Sequence, residues 1–278
     1  MKPIWLCMAL AVIRKMPKQN NYWAERVAKA QNTITSRGIK KTEQQLRKYY
    51  ISTFESITKD FQATYDHLFN TMWEKGQEPT PADLYKLDKY WQLQGQLRKE
   101  LTRLGDRQAK SLSRAFETNF FEIYYSFAIE GKQAYNTLDT QAVAQMINSI
   151  WCADGKTWSQ RIWQNIAQLQ DTLNNSLIEC VAGGKKTSDL KKQLQERFNV
   201  SYSKADMLVR TEMAHIQTQA SQQRYKDYGL EQVEVFVDED ERTCPICSKH
   251  EGERHSVNDT MPIPFHPRCR CCVIPVID

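Results

Sequence analysis

TCPICSKHEGERHSVNDTMPIPFHPRCRCC, residues 243–272, holds five of the chain's eight cysteines and three of its five histidines. Cys244 and Cys247 form C-x2-C around Pro245, a spacing that lets both sulfurs of a tight knuckle reach one tetrahedral ion. Eighteen residues then intervene before His266 and Cys269, which form H-x2-C and complete a four-ligand set of soft sulfur and borderline nitrogen donors. Zinc is the natural occupant of such a set. The last ligand stays open at this point, because Cys271 could replace Cys269 or His266, and His250 lies three residues past Cys247.

A closed four-ligand site is structural, whereas catalysis needs a position left open for water. With five or more donors competing, the pattern points to a closed site that staples a segment poor in hydrophobes. HEGERH, residues 250–255, looks like the metallopeptidase pattern H-E-x-x-H, but its spacing is wrong. Five residues place the two histidines about 140° apart on a helix, and Gly252 weakens the helix itself. Cys7, Cys152 and Cys180 are scattered singly and read as small buried hydrophobes or free thiols. Together with the lack of a convincing signal sequence they suggest a reducing compartment, where clustered cysteines hold metal more often than disulfides.

Upstream, VRTEMAHIQTQA reads as a helix with Ala205, Leu208, Val209, Met213, Ile216 and Ala220 on one apolar arc. Glu212 projects from the middle of that arc and His215 from its edge. A carboxylate on a buried face has to be paired or hydrogen-bonded. The pair is read as bracing the metal module, through its backbone, through an arginine such as Arg242 or through a ligand histidine, in preference to an acid/base couple.

The rest of the chain is helical in pattern. Tyr22 to about Trp73 repeats its apolar residues at helical spacing and reads as one or two long amphipathic helices, with Ser36-Arg37-Gly38 the candidate break. After GQEPTPAD a second helical block runs from about Asp83 to Ile150. Its aromatic run places Phe116, Phe120, Tyr124 and Phe127 at the spacing of a core stripe rather than a base-stacking platform. A helix follows from about Thr157 to Cys180, stopped by Gly183-Gly184. Then comes a short helix from Thr187 or Ser188 to about Phe198, a longer one capped by Ser201 or Ser203 and ending at Gly229, and a strand at Val233–Val237.

The expected fold is therefore mainly α: a long-helix N-terminal body followed by a small α+β, zinc-stabilised C-terminal module. Residues 1–15 read as a non-native or disordered extension before a start at Met16, 16–180 as the helical body, and 185–278 as the C-terminal domain with its zinc knuckle at 243–272. No apolar run reaches the roughly 18 residues needed to cross a bilayer, so no membrane role is expected. Net charge is +5, but the segment from Asp238 onward carries eight acidic and five basic side chains, which leaves the preceding 237 residues about +8. A zinc module that reads nucleic acid would show the opposite bias.

VRTEMAHIQTQASQQRYKDYGL (209–230), VDEDERTCPICSKHEGE (237–253) and PFHPRCRC (264–271) together closely resemble the C-terminal domain of the phage minor head protein family, also called head morphogenesis or Mu F-like proteins. The resemblance covers about Lys185 to Val276. It implies a minor component of a tailed-phage or prophage head, associated with the portal protein and with capsid or scaffold proteins, assisting head assembly without catalysis. It also implies a location in the virion, and in the host cytoplasm during assembly. The residues carried over by match are Arg210, Thr211 and Glu212, then Cys244, Cys247, His266, Cys269 and Cys271; Cys272 is an addition. Weak DNA contact by the basic body, or a zinc-dependent hydrolase or toxin-like enzyme using Glu212 and His215, are the alternatives.

Overall fold

A computed structural model describes residues 11–13, 21–129, 138–237, 240–241 and 243–277. The chain runs β1 (Ala11–Ile13), α1 (Asn21–Trp73), α2 (Pro81–Tyr85), α3 (Asp88–Tyr124), β2 (Phe127–Ile129), α4 (Thr140–Ile147), α5 (Trp158–Ala182), α6 (Thr187–Asp227), β3 (Gln232–Phe236), α7 (Pro245–Ser248), β4 (Arg254–Ser256) and β5 (Cys272–Pro275). It is mainly helical with a small C-terminal sheet. No helix among the described residues is long and apolar enough to cross a membrane.

Two compact units interleave along the chain: 1–42, 112–151 and 207–278 form one, and 43–111 with 152–206 form the other. The expected division into 16–180 and 185–278 cuts the chain once, whereas α1, α3 and α6 each contribute to both units. Ala11–Ile13 pair in parallel with Phe127–Ile129, so part of the expected extension is a strand. The remainder of residues 1–15, and Arg242 with its expected bracing role, lie outside the described residues.

In the second unit the apolar stripes mesh as their spacing predicts. Phe61, Leu68, Leu84, Leu101, Leu104, Leu173 and Leu190 are buried. Thr157 caps α5 with a reciprocal Gln160 capping box, and Gly183 ends it. The expected serine cap at Ser201 is absent and α6 runs on without a break. Ser201 is instead spent on tertiary contacts: its carbonyl accepts from Asn165 Nδ2 at 2.9 Å, and its hydroxyl meets the Tyr50 phenol at 3.1 Å. Within α3, a Cβ on Gly105 would lie 2.6 Å from the Trp163 ring, so a bare backbone is what admits the indole there.

Of the one or two helices expected over Tyr22–Trp73 the structure has one, α1, which runs through the candidate break at Ser36–Gly38. A Cβ on Gly38 would stand 3.4 Å from Asn119 Oδ1 and 3.7 Å from Met213 Cε. Both are ordinary van der Waals distances that an alanine would also meet, so glycine costs the helix roughly 1 kcal/mol without breaking it. Phe116, Phe120, Tyr124 and Phe127 are all buried, as a core stripe requires. The three-stranded sheet has the order β4-β3-β5 with both pairings antiparallel. Val233, Val235, Val257, Ile263 and Val273 from this end share one core with Tyr225 and Tyr228 of α6, Val27 of α1 and Phe127 of β2. The cysteine-rich end therefore packs on the helices of its unit and does not stand alone.

Candidate metal centre

Cys244 opens α7 as its N-cap, and its sulfur accepts the Cys247 N–H at 3.4 Å. Pro245 sits at the first helical position, where a missing N–H costs nothing. The second half of the donor set is formed by a turn in which Cys269 N–H bonds the His266 carbonyl at 3.1 Å, with Arg268 in the left-handed region at φ 64°. β5 then begins at Cys272, which pairs with Phe236 of β3 and so fixes the CRC run against the sheet.

These two turns bring the sulfurs and one imidazole nitrogen together. His266 Nε2 lies 3.2 Å from Cys244 Sγ and 3.1 Å from Cys247 Sγ, and Cys247 Sγ lies 3.7 Å from Cys269 Sγ. Two groups with metal-ligating spacing result, Cys244–Cys247–His266 and Cys247–Cys269–Cys271, and Cys247 belongs to both. His266 Nδ1 bonds the Pro267 carbonyl at 2.8 Å, which assigns the ring proton to Nδ1 and turns the Nε2 lone pair toward the sulfurs.

Either group could hold a soft cation, and Cys247 with Cys269 has the sulfur spacing of a tetrahedral one. With metal–sulfur bonds of about 2.3 Å, two tetrahedral sulfurs stand roughly 3.8 Å apart, close to the Cys247–Cys269 separation. Without a cation the sulfurs have to share protons. The Cys271 thiol and backbone N–H groups donate to Cys269 and draw it down to about 5, while burial raises Cys247 to about 12. The hydrogen bond that the Cys271 thiol donates to Cys269 pushes the Cys271 pKa up.

Two sequence-level candidates stand elsewhere. His250 stacks on Phe265 at 4.0 Å and pairs with Glu253 at 2.8 Å, outside both donor groups. HEGERH occupies a turn and β4, not a helix. Cys272 is fully buried with Ala28 and Ile274 in a separate cluster, also outside the donor groups.

One face of α6 meets the cysteine-rich end along its length. Thr211 Oγ1 accepts the Arg268 N–H at 3.3 Å, and His215 Nδ1 donates to the Ile263 carbonyl at 3.3 Å. Gln222 Nε2 donates to the Asp259 carbonyl at 3.0 Å, and the Tyr225 hydroxyl donates to the Val273 carbonyl at 3.1 Å. On a helix these four positions fall within about 80° of one another. Glu212, next to this row, is buried and accepts from Trp151 Nε1 at 2.9 Å, while the Trp151 ring stacks on His215 at 4.2 Å. Arg210 is half-buried. The reading of the sequence missed Trp151, Gln222 and Tyr225; for the last two, the available signal was their helical register with Thr211 and His215.

Burial lowers the His215 pKa from 6.5 to about 4. A histidine kept neutral by folding is protonated first in the unfolded chain, so its contribution is complete above about pH 6.5. That contribution is lost progressively as pH falls toward 4, by at most roughly 3 kcal/mol. Urea unfolding should therefore show the wild type losing about 2 kcal/mol more than His215→Gln between pH 7.5 and pH 5. Parallel pH dependences in the two proteins would refute this assignment.

Residues 171–274 match the model of a family described as Phage Mu protein F like protein. No curated protein and no solved structure matches the chain.

Proposed function

We propose that the chain, whose residues 171–274 match the Phage Mu protein F like family, is a minor head protein of a tailed phage or prophage that assists head assembly and is not an enzyme. The family match carries this reading, and the composite order of the R-T-E helix, the C-x2-C knuckle and H-P-x-C-R-C supports it. In this role the protein associates with the portal and with capsid or scaffold proteins, in the host cytoplasm during assembly and then in the virion.

The chemistry of the donor set supports a single structural zinc. Bound there, zinc would supply the bonds that close the knuckle. Cys244 and Cys247 would hold it from one turn, with His266 and a cysteine of the CRC run from the other. Thr211, Glu212 and His215 would brace this arrangement from α6, as part of the scaffold.

Co-expression with the portal and major capsid proteins of the genome that encodes it tests the assignment. The expected result is co-purification with portal rings and incorporation into heads. Heads of normal composition that exclude the protein, together with no association with the portal, would sink it.

A second reading is favoured by one further observation. Lys99, Arg103, Arg107 and Lys110 of α3 are all exposed and lie within an arc of about 80°, and Arg47 and Lys48 of α1 are exposed in the same unit. Arg107 stands 5.9 Å above the Tyr49 ring, which joins the two helices at this face. Such a stripe suits the DNA phosphate backbone and predicts retention on duplex DNA that falls steeply between 50 and 200 mM salt. Salt-independent retention, or none at low salt, would count against it.

A further inference from the structure

We infer that the exposed seam between α3 and α5 docks a second copy of this chain, related to the first by a two-fold axis that runs along the seam. The inference is independent of the metal centre and concerns one unit alone, to which residues 88–111 and 158–182 both belong.

Along this seam the two helices run antiparallel. Gln94 Nε2 of α3 donates to Asn174 Oδ1 of α5 at 2.8 Å, and the Trp163 ring covers Gly105, so position 94 lies opposite 174 and position 105 opposite 163. In the same register position 98 stands across from about 170. Beside the seam, Trp91, Gly95, Arg98 and Thr102 fall within about 60° of one another on α3, and Trp163, Ala167 and Asp171 within about 80° on α5. All are exposed. The basic stripe of α3, from Lys99 to Lys110, is centred about 110° further round that helix.

Trp91 is 59% exposed and Trp163 38%. Both rings are fixed in place: the Trp91 indole N–H donates to the Tyr85 carbonyl at 3.0 Å and its ring meets the Tyr90 ring edge-on, while Trp163 lies on the bare backbone at Gly105. Aromatic side chains held in this way anchor interfaces at low entropic cost. Between the two rings, over about 21 Å of helix, Gly95, Thr102 and Ala167 present little bulk and leave room for another pair of helices.

Charge selects the occupant and its orientation. Arg98 and Asp171 are the charged residues of the two arcs and lie on opposite sides of the seam, and neither has an ion pair or hydrogen bond among the described residues. A two-fold axis along the seam lays α3 of one copy on α5 of the other at the same height, so each Arg98 meets the Asp171 of the other copy. An axis across the seam would instead set Arg98 on Arg98 and Asp171 on Asp171, which like charges oppose. A face about 21 Å long and two helices wide buries roughly 800 Å² in total, at the lower limit for specific association, so a dissociation constant on the order of tens of micromolar is expected.

Sedimentation equilibrium of the full-length reduced protein from about 1 to about 200 µM tests this. The wild type should pass from monomer to dimer over that range. Arg98→Asp and Asp171→Arg should each weaken the dimer by roughly ten-fold or more, and the double swap should restore it, because both pairs re-form with their signs exchanged. Both positions are exposed, and circular dichroism equal to that of the wild type checks that each variant is folded. A wild type that stays monomeric, single variants that dimerise as the wild type does, or a double swap no stronger than the singles would overturn the inference. Should the wild type stay monomeric while Arg98→Asp lowers co-purification with the portal, the seam serves a different protein.

Discussion

Chelation of the reduced protein, or Cys247→Ser, is expected to loosen residues 240–271 and to lower Tm by roughly 10 to 20 °C, while the helices keep their circular dichroism. Cys247 is the residue to change because it belongs to both donor groups and is itself buried. Small zinc domains owe about 10–16 kcal/mol to their metal. Here the loss should be smaller, on the order of 5 kcal/mol, because Val233, Val235, Ile263 and Val273 remain packed with Tyr225, Tyr228 and Val27. Equal melting curves with and without chelator would refute the structural role.

The second large effect is expected at Tyr225, which is fully buried. Its hydroxyl donates to the Val273 carbonyl at 3.1 Å and accepts from Gln31 Nε2 at 2.9 Å, so one oxygen joins α1, α6 and β5. Tyr225→Phe preserves the ring and its packing but strands an amide and a carbonyl in the core. Each stranded group costs about 1–3 kcal/mol, which predicts a total loss of roughly 2–6 kcal/mol by urea unfolding. A change under about 0.5 kcal/mol would mean that neither bond matters to the fold.

Tyr225 also shows where the sequence stops being legible. Periodicity identifies a helix and its apolar arc, and it placed Glu212 on a buried face correctly. It cannot reveal that Gln222 and Tyr225 bond backbone carbonyls at Asp259 and Val273, because those partners carry no side-chain signature. An amide and a phenol on a helix read as a solvated face until the loop that covers them is known.

The same limit explains Gly38 and Ser201. Local preference reads one as a candidate break and the other as a cap, whereas both helices run on, with Ser201 bonded to Asn165 and Tyr50. Those helices are longer than one core, and hydrophobic spacing says which face is buried but not against what. The interleaving of two units along α1, α3 and α6 was invisible for that reason. That Cys244, Cys247 and His266 come together was legible because C-x2-C and H-x2-C each set their residues within one short turn. Cys272 blurred it, since a count of cysteines does not reveal which way an extended chain points each one.

Native mass spectrometry of the intact reduced protein tests the central claim most directly. The account predicts the chain mass plus one zinc, less the protons released by the coordinating thiols, with the metal lost only when the C-terminal sheet opens. A folded, reduced chain at its bare mass would contradict it.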